Sequence, residues 1–310
     1  MSNRKVKVYC PATVANLVCG FDILGLALQD PQDIMEVWEK ESPGIEIIPD
    51  ERYHLPVRPE ENVAGASLIA LIEEAQLTTG FTIKIDKRIK PGSGLGSSAA
   101  SSAGAVVAAN YLLGNRFSKN DLVRFAMNGE KVASGVKHAD NITPCIFGGI
   151  TLIRAIHPLD IVALNVPDLF VTVVHPQIEV KTSDARQILR KEVQLKDAIR
   201  QWGNIAGLVT GFMKNDYDLI GRSLEDVIIE PVRSILIPGF DTVKKRCREA
   251  GALGGGISGS GPSIFMLSKE NKEAAACEMI MQEEFDRLGI EYKTYLTRIN
   301  VQGILVEETR

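Results

Sequence analysis

The segment Pro91-Gly92-Ser93-Gly94-Leu95-Gly96-Ser97-Ser98-Ala99-Ala100 sets glycine at every second position and then adds two serines. Glycine has no Cβ, so such a backbone is free to take positive φ. From Ser97 to Ala109 the residues are mostly small and favour helix. The pattern predicts a glycine loop feeding a helix N-terminus, where unpaired N–H groups and the positive end of the helix dipole attract anions. Ser97 and Ser98 are placed to cap that helix or to turn a hydroxyl toward a phosphate oxygen or a metal. Two common phosphate loops are excluded. A P-loop follows its last glycine with Lys-Ser or Lys-Thr, and here Ser97-Ser98 follow Gly96; a dinucleotide fingerprint needs glycine at position 97, which is serine. Taken alone, the segment also fits an ordinary Gly/Ser turn before a small-residue helix.

Two more stretches bear on the choice. Pro11-Ala12-Thr13-Val14-Ala15-Asn16-Leu17-Val18-Cys19-Gly20-Phe21-Asp22 lies before it, and the glycine-rich run Gly251 to Pro262 lies after it. In this order the three resemble the signature motifs of the GHMP kinases, and the resemblance spans essentially the whole chain. Within that superfamily the pattern is most similar to homoserine kinases. The resemblance implies a two-domain α+β fold, with a ribosomal-protein-like ATP-binding domain over residues 1–160 and a ferredoxin-like domain over residues 161–310. It implies transfer of the γ-phosphoryl of ATP, with Mg²⁺, to the side-chain hydroxyl of L-homoserine, and a cytoplasmic homodimer acting in threonine biosynthesis.

Composition agrees with a two-domain globular chain. The protein has 310 residues, 45% hydrophobic and 24% charged, with net charge -4. The negative balance argues against a nucleic-acid surface. Five cysteines, at 10, 19, 145, 247 and 277, form no Cys-x-x-Cys pair and fit reduced thiols better than a disulfide framework. No apolar run approaches the ~20 residues of a membrane span.

Alternation predicts strands at 5–10, 23–28, 33–39, 45–48 and 81–85, with Pro11 ending the first. Helices are expected at 62–75, from Ser97 to about residue 113, and at 118–133, where Ser118 and Asp121 suit a capping box. Residues 138–144 read as polar and irregular, and a strand follows at 147–154. A domain boundary is expected near 155–168, then strands at 161–166 and 169–174. Beyond it come helices at 183–191, 194–214, 238–250 and 270–287, and strands at 253–257, 263–267, 291–297 and 303–306.

By the resemblance, residues Pro91 through Ser101, including Leu95, Ala99 and Ala100, cradle the triphosphate, and Asn62 contacts adenine. Ser98 and Glu130 hold Mg²⁺, a hard cation that suits carboxylate, hydroxyl and phosphate oxygens. Asn16, Asp22, Asn141, Thr182, Arg186 and Arg233 hold the acceptor, and Asn141, Ser98 and Glu130 are the catalytic set. Two arginines suit a carboxylate ligand, which guanidinium grips in a bidentate fork. Lys87 reads as a solvated strand end. His138 reads as a local orienting or structural histidine, since His54, His157 and His175 show no zinc spacing.

Counting back from Gly148-Gly149 sets Asn141 where mevalonate kinase and galactokinase carry an aspartate, with Asp140 one residue earlier. Asparagine takes no proton at neutral pH, so the expected catalysis is alignment and electrostatics. A slip of one residue would return Asp140 to that slot. Val18-Cys19 stand where the family's first motif usually has glycine, which bears on the turn that aims Asp22. Three alternatives stay open: a mevalonate-type kinase, a non-catalytic metabolite sensor and an RNA-binding module.

Overall fold

The computed structural model describes residues 4–180 and 182–309, apart from the side chains of residues 182 and 183. A first sheet is built from β1 (Lys5–Ala15), β2 (Leu24–Lys40), β3 (Gly44–Ile48), β4 (Gly80–Asp86), β5 (Ile150–Ile156) and β6 (Leu159–Leu164). Four helices join it: α1 (Val63–Ala75), α2 (Ser97–Leu112), α3 (Lys119–Ser134) and α4 (Ile142–Phe147). The second half contributes β7 (Phe170–Pro176), α5 (Thr182–Gln187), α6 (Leu195–Lys214), α7 (Tyr217–Ser223) and α8 (Glu230–Arg233). It continues with α9 (Phe240–Glu249), β8 (Gly254–Ile257), β9 (Ile264–Ser268), α10 (Asn271–Leu288), β10 (Tyr292–Arg298) and β11 (Leu305–Thr309).

The second sheet runs β10-β7-β9-β8 and is antiparallel throughout. With helices between β7 and β8 and between β9 and β10, this is the ferredoxin-like arrangement. In the first sheet the order is β11-β1-β2-β4-β3, with β5 joining β2 to β6. The chain end therefore returns to the first sheet, where Leu305–Thr309 pairs antiparallel with Lys5–Tyr9. The expected junction at 160/161 falls inside β6. Among the described residues no helix is long and apolar enough to cross a membrane.

Three differences from the sequence expectation have local causes. β1 does not stop at Pro11; it continues to Ala15 through a register irregularity between Pro11 and Thr13, the kind of place where a sheet tolerates proline. The strands expected at 23–28 and 33–39 are one long β2, whose first part pairs with β5 and whose second part pairs with β4. The stretch expected to be irregular, 138–144, contains the start of α4, in whose first turn Pro144 lacks an N–H that would have had no helical partner anyway.

α2 is the organising helix. It is buried nearly all round by small residues, which lets it lie tight on the sheet. A Cβ on Gly104 would stand 2.4 Å from the Cys10 sulfur on β1. Close packing fixes where the N-terminus of α2 points. One core cluster joins this layer to Val171, Val173, Leu208 and Phe212 of the second half, and a smaller one lies under α9 and α10.

Candidate active site

A cleft of about 380 Å³ opens at the α2 N-terminus, within the usual size range of small-molecule sites. Gly92, Gly94 and Gly96 hold φ of 77°, 80° and 68°. At Gly96 a Cβ would also stand 2.0 Å from Thr13 Oγ1, and at Gly94 2.6 Å from the Ser258 carbonyl. Gly96 is the N-cap of α2 and no side chain caps the helix. The serines are used elsewhere: Ser97 Oγ donates to the Ile89 carbonyl at 2.8 Å and Ser98 Oγ to Glu130 Oε1 at 2.6 Å. The first α2 bond runs from Ala100 N–H to the Gly96 carbonyl. The N–H groups of Ser97, Ser98 and Ala99 precede it and have no partner within the helix.

Lys87 is no solvated strand end. Only 2% exposed, its ammonium pairs with Asp33 and donates to the Ser97 carbonyl at 2.8 Å and Ser101 Oγ at 3.1 Å. Asp33 also accepts the Arg88 and Ile89 N–H groups, each at 2.8 Å. The buried pair thus ties the end of β4 to the first turns of α2. Lys87 follows the last residue of the β4 alternation, so periodicity did not reveal which way it faces.

Glu130, near the end of α3, is buried, and desolvation pushes its carboxyl above the ordinary value while the Ser98 hydroxyl pulls it down. Carboxylate and hydroxyl together offer hard oxygens beside the loop. Among the described residues no group of three or more His, Cys, Asp or Glu could enclose a metal. The donors present therefore fit a cation that keeps waters and takes phosphate oxygens, as Mg²⁺ does.

The opposite wall carries charge on side chains. After β1 the chain turns through Asn16, Leu17 and Val18 at φ of 73°, 41° and 66°, and Asp22 holds 63°. These left-handed residues persist without glycine because Leu17, Val18 and Cys19 are sunk in the core. Asn16 spends its amide on the frame, donating to the Gly259 carbonyl at 2.9 Å and accepting from Asp22 N–H at 3.0 Å. Arg186 reaches both Asp22 carboxylate oxygens, at 2.9 and 3.0 Å. Arg233 is buried and donates to the carbonyls of Ala185 and Gly259, at 3.0 and 3.1 Å. The Phe21 ring lies 5.5 Å from the Arg186 guanidinium and 4.9 Å from that of Arg233. His138 stands 3.7 Å from Asp22, and burial holds its imidazole below the ordinary value. Residues 254–263 close the cleft against the cradle: Ser258 Oγ donates to the Gly94 carbonyl and Ser263 Oγ to the Ser93 carbonyl, both at 2.7 Å.

Between the walls lie Asp140 and Asn141, at the start of α4. Asp140 is 5% exposed, and desolvation, with Asp22 and Glu130 adding, pushes its carboxyl up to about 7. Asn141 Oδ1 accepts from Thr13 Oγ1 at 2.7 Å.

Known proteins match at both levels. The model of the GHMP kinase N-terminal domain matches residues 62–149, and that of the GHMP kinase C-terminal domain matches residues 208–287. A homoserine kinase of Chloroherpeton thalassium is 45% identical over 92% of this chain and 94% of its own. The chain belongs to the GHMP kinase family. A homoserine kinase of Methanococcus maripaludis is also 45% identical, over 98% of this chain and 99% of its own. The crystal structure of homoserine kinase from Cytophaga hutchinsonii superposes with TM-score 0.94 at 46% identity, covering 99% of this chain and 98% of that one.

In this GHMP kinase the cleft gathers most of the predicted residues. Asn16, Asp22, Asn62, Pro91 to Gly94, Gly96 to Ser98, Ser101, Glu130, Asn141, Arg186 and Arg233 all line it. Leu95, Ala99 and Ala100 turn their side chains into the core instead. The Thr182 side chain lies outside the described residues. The Asn62 amide caps α1, accepting from Ala64 and Gly65 N–H at 2.9 and 3.4 Å and donating to the Pro56 carbonyl at 2.7 Å. Phe21 and Thr13 were missed as individual residues although both stand inside the first motif. Only the fold brings their partners to them.

Proposed function

We propose that this kinase transfers the γ-phosphoryl of Mg-ATP to the side-chain hydroxyl of L-homoserine, giving O-phospho-L-homoserine and ADP. The observation that carries the proposal is the charge set facing the cradle: the Asp22 carboxylate in contact with Arg186 and close to Arg233, with Asp140 buried between the walls. An amino acid zwitterion is its complement. The ligand's carboxylate takes guanidinium donors and its ammonium takes Asp22, so both ions remain paired out of water. A mevalonate-type acceptor has no ammonium to offer Asp22.

In this assignment the N–H groups of residues 97–99 and the positive φ loop hold the phosphates. Ser98 and Glu130 hold Mg²⁺, which supplies charge neutralisation at the phosphates. Asn62 frames the adenine side through its cap on α1. Arg186, Arg233, Asp22, Asn16 and Thr182 orient the amino acid, with the Phe21 ring keeping the two guanidiniums in place. Asn141 stands at the acceptor hydroxyl. The hydroxyl oxygen forms its bond to the γ-phosphorus as the β,γ-bridging bond breaks, and the hydroxyl proton leaves to a phosphoryl oxygen or to solvent. The same proposal includes a homodimer in threonine biosynthesis and a cytoplasmic location, the last of which suits the five free, buried cysteines.

ADP release with Mg-ATP and L-homoserine, mevalonate, galactose or no acceptor tests this directly. Turnover with homoserine alone is expected. Turnover with mevalonate or galactose in its place refutes the acceptor assignment.

A further inference from the structure

Thr13 joins three segments at one residue. It is fully buried on β1, just beyond the irregularity at Pro11. Its N–H donates to the Leu95 carbonyl of the phosphate loop at 3.1 Å. Its Oγ1 donates to Asn141 Oδ1 at 2.7 Å. Gly96 leaves the room for this contact, since a Cβ there would stand 2.0 Å from Thr13 Oγ1 and 3.0 Å from Asn141 Oδ1.

An asparagine amide has an accepting and a donating end, and catalysis depends on which faces the ligand. With Oδ1 bound to Thr13, the amide NH₂ is the end left for the cleft that Asn141 lines. Turning the amide over would bring NH₂ to Thr13 Oγ1. The threonine proton would then lose the acceptor it has among the described residues, on a side chain that is itself fully buried. The hydroxyl therefore selects one orientation of the amide.

We propose that Thr13 is a positioning residue that fixes the Asn141 amide with its NH₂ toward the acceptor oxygen. Asn141 then donates to a lone pair of the acceptor hydroxyl and holds that oxygen in line with the phosphate, while the hydroxyl proton points elsewhere. The inference rests on the acceptor site assigned under Proposed function. It also specifies the chemistry of the acceptor atom: an alcohol oxygen able to accept a hydrogen bond while it attacks.

The test is a double-mutant cycle in the full-length enzyme, with kcat and both KM values measured for Thr13→Val and Thr13→Ser, alone and in the Asn141→Ala background. Valine keeps the shape and removes the hydroxyl. Thr13→Val is expected to lower kcat with homoserine by ~10–100-fold while KM for ATP stays within about twofold. Thr13→Ser, which keeps the hydroxyl, is expected to stay within about threefold of the wild type. In the Asn141→Ala background the Val substitution should change kcat by less than about twofold. An equal loss in that background overturns the proposal, because Thr13 would then act by packing alone; so does a Thr13→Val enzyme with wild-type kcat. Thr13→Ala serves as a second hydroxyl deletion, read by the same rule, should the valine variant fold poorly. Wild-type enzyme that releases no ADP with homoserine refutes the acceptor assignment itself, a failure distinct from additivity in the cycle.

Discussion

On the phosphate side of the cleft stands one contiguous run, residues 91–101, that presents backbone N–H groups. On the acceptor side stand side chains gathered from across the chain: Arg186 meets Asp22 across 164 residues, and Asn16 meets Gly259 across 243. A backbone cradle is specified by what is missing, the Cβ atoms of Gly94 and Gly96. A side-chain wall is specified by charge, and it exists only once both sheets are in place. In the proposed function the first recognises what all phosphate donors share, whereas the second tells one acceptor from another.

If that division is right, substitutions on the two sides separate kinetically. The largest effect is expected from Glu130→Gln, which removes the carboxylate bonded to Ser98. It should lower kcat/KM by ~10²–10³-fold, with homoserine binding by calorimetry in the absence of nucleotide within about threefold of wild type. Arg233→Ala should be next. It removes a buried guanidinium from the opposite wall, and KM for homoserine is expected to rise ~10–100-fold while KM for ATP holds within about twofold. Equal losses for both substrates in either variant would break the comparison.

Asp140, between the walls, gives a pH signature. Its carboxyl is moved from the ordinary 3.8 up to about 7. Near and below pH 4 the folded and unfolded chains are both becoming protonated and little is at stake. Between about pH 4 and 7 the unfolded chain releases this proton while the folded chain keeps it, so stability falls across that window, and above 7 the folded protein carries in full a charge that burial disfavours. Asp140→Asn is therefore expected to raise Tm at pH 8 by roughly 3–6 °C without ligand, with the gain fading toward pH 4. A gain that grows as pH falls would contradict the assigned shift. The smallest effect belongs to Asn62→Ala, which removes the α1 cap and should cost about 1 kcal/mol of stability in a denaturant melt.

The sequence was most legible where chemistry is local. The 91–101 loop and the Ser118–Asp121 capping box follow from residue type and spacing, whereas the ferredoxin-like second half was reached through the family resemblance and its antiparallel sheet is seen only in the folded chain. The joining of two expected strands into β2 was hidden because Pro31 looks like a terminator until a different strand is found beside each part. Lys87 was hidden for a different reason. A lysine after a strand is usually solvated, and only the burial of Asp33 on β2 makes this one a tie beneath α2. The acceptor residues were reached through family resemblance, since nothing local marks Arg186 or Arg233 apart from a surface arginine. Their shared stacking on Phe21 exists only in the folded chain.

The central claim is that the acceptor wall recognises a zwitterion. Phosphorylation rates for L-homoserine and for 4-hydroxybutyrate, which has the same hydroxyl and carboxylate but no ammonium, test it most directly. The account predicts that kcat/KM for 4-hydroxybutyrate falls by ~10²-fold or more, the cost of leaving Asp22 without its ligand partner. Comparable kcat/KM for the two acceptors would contradict it.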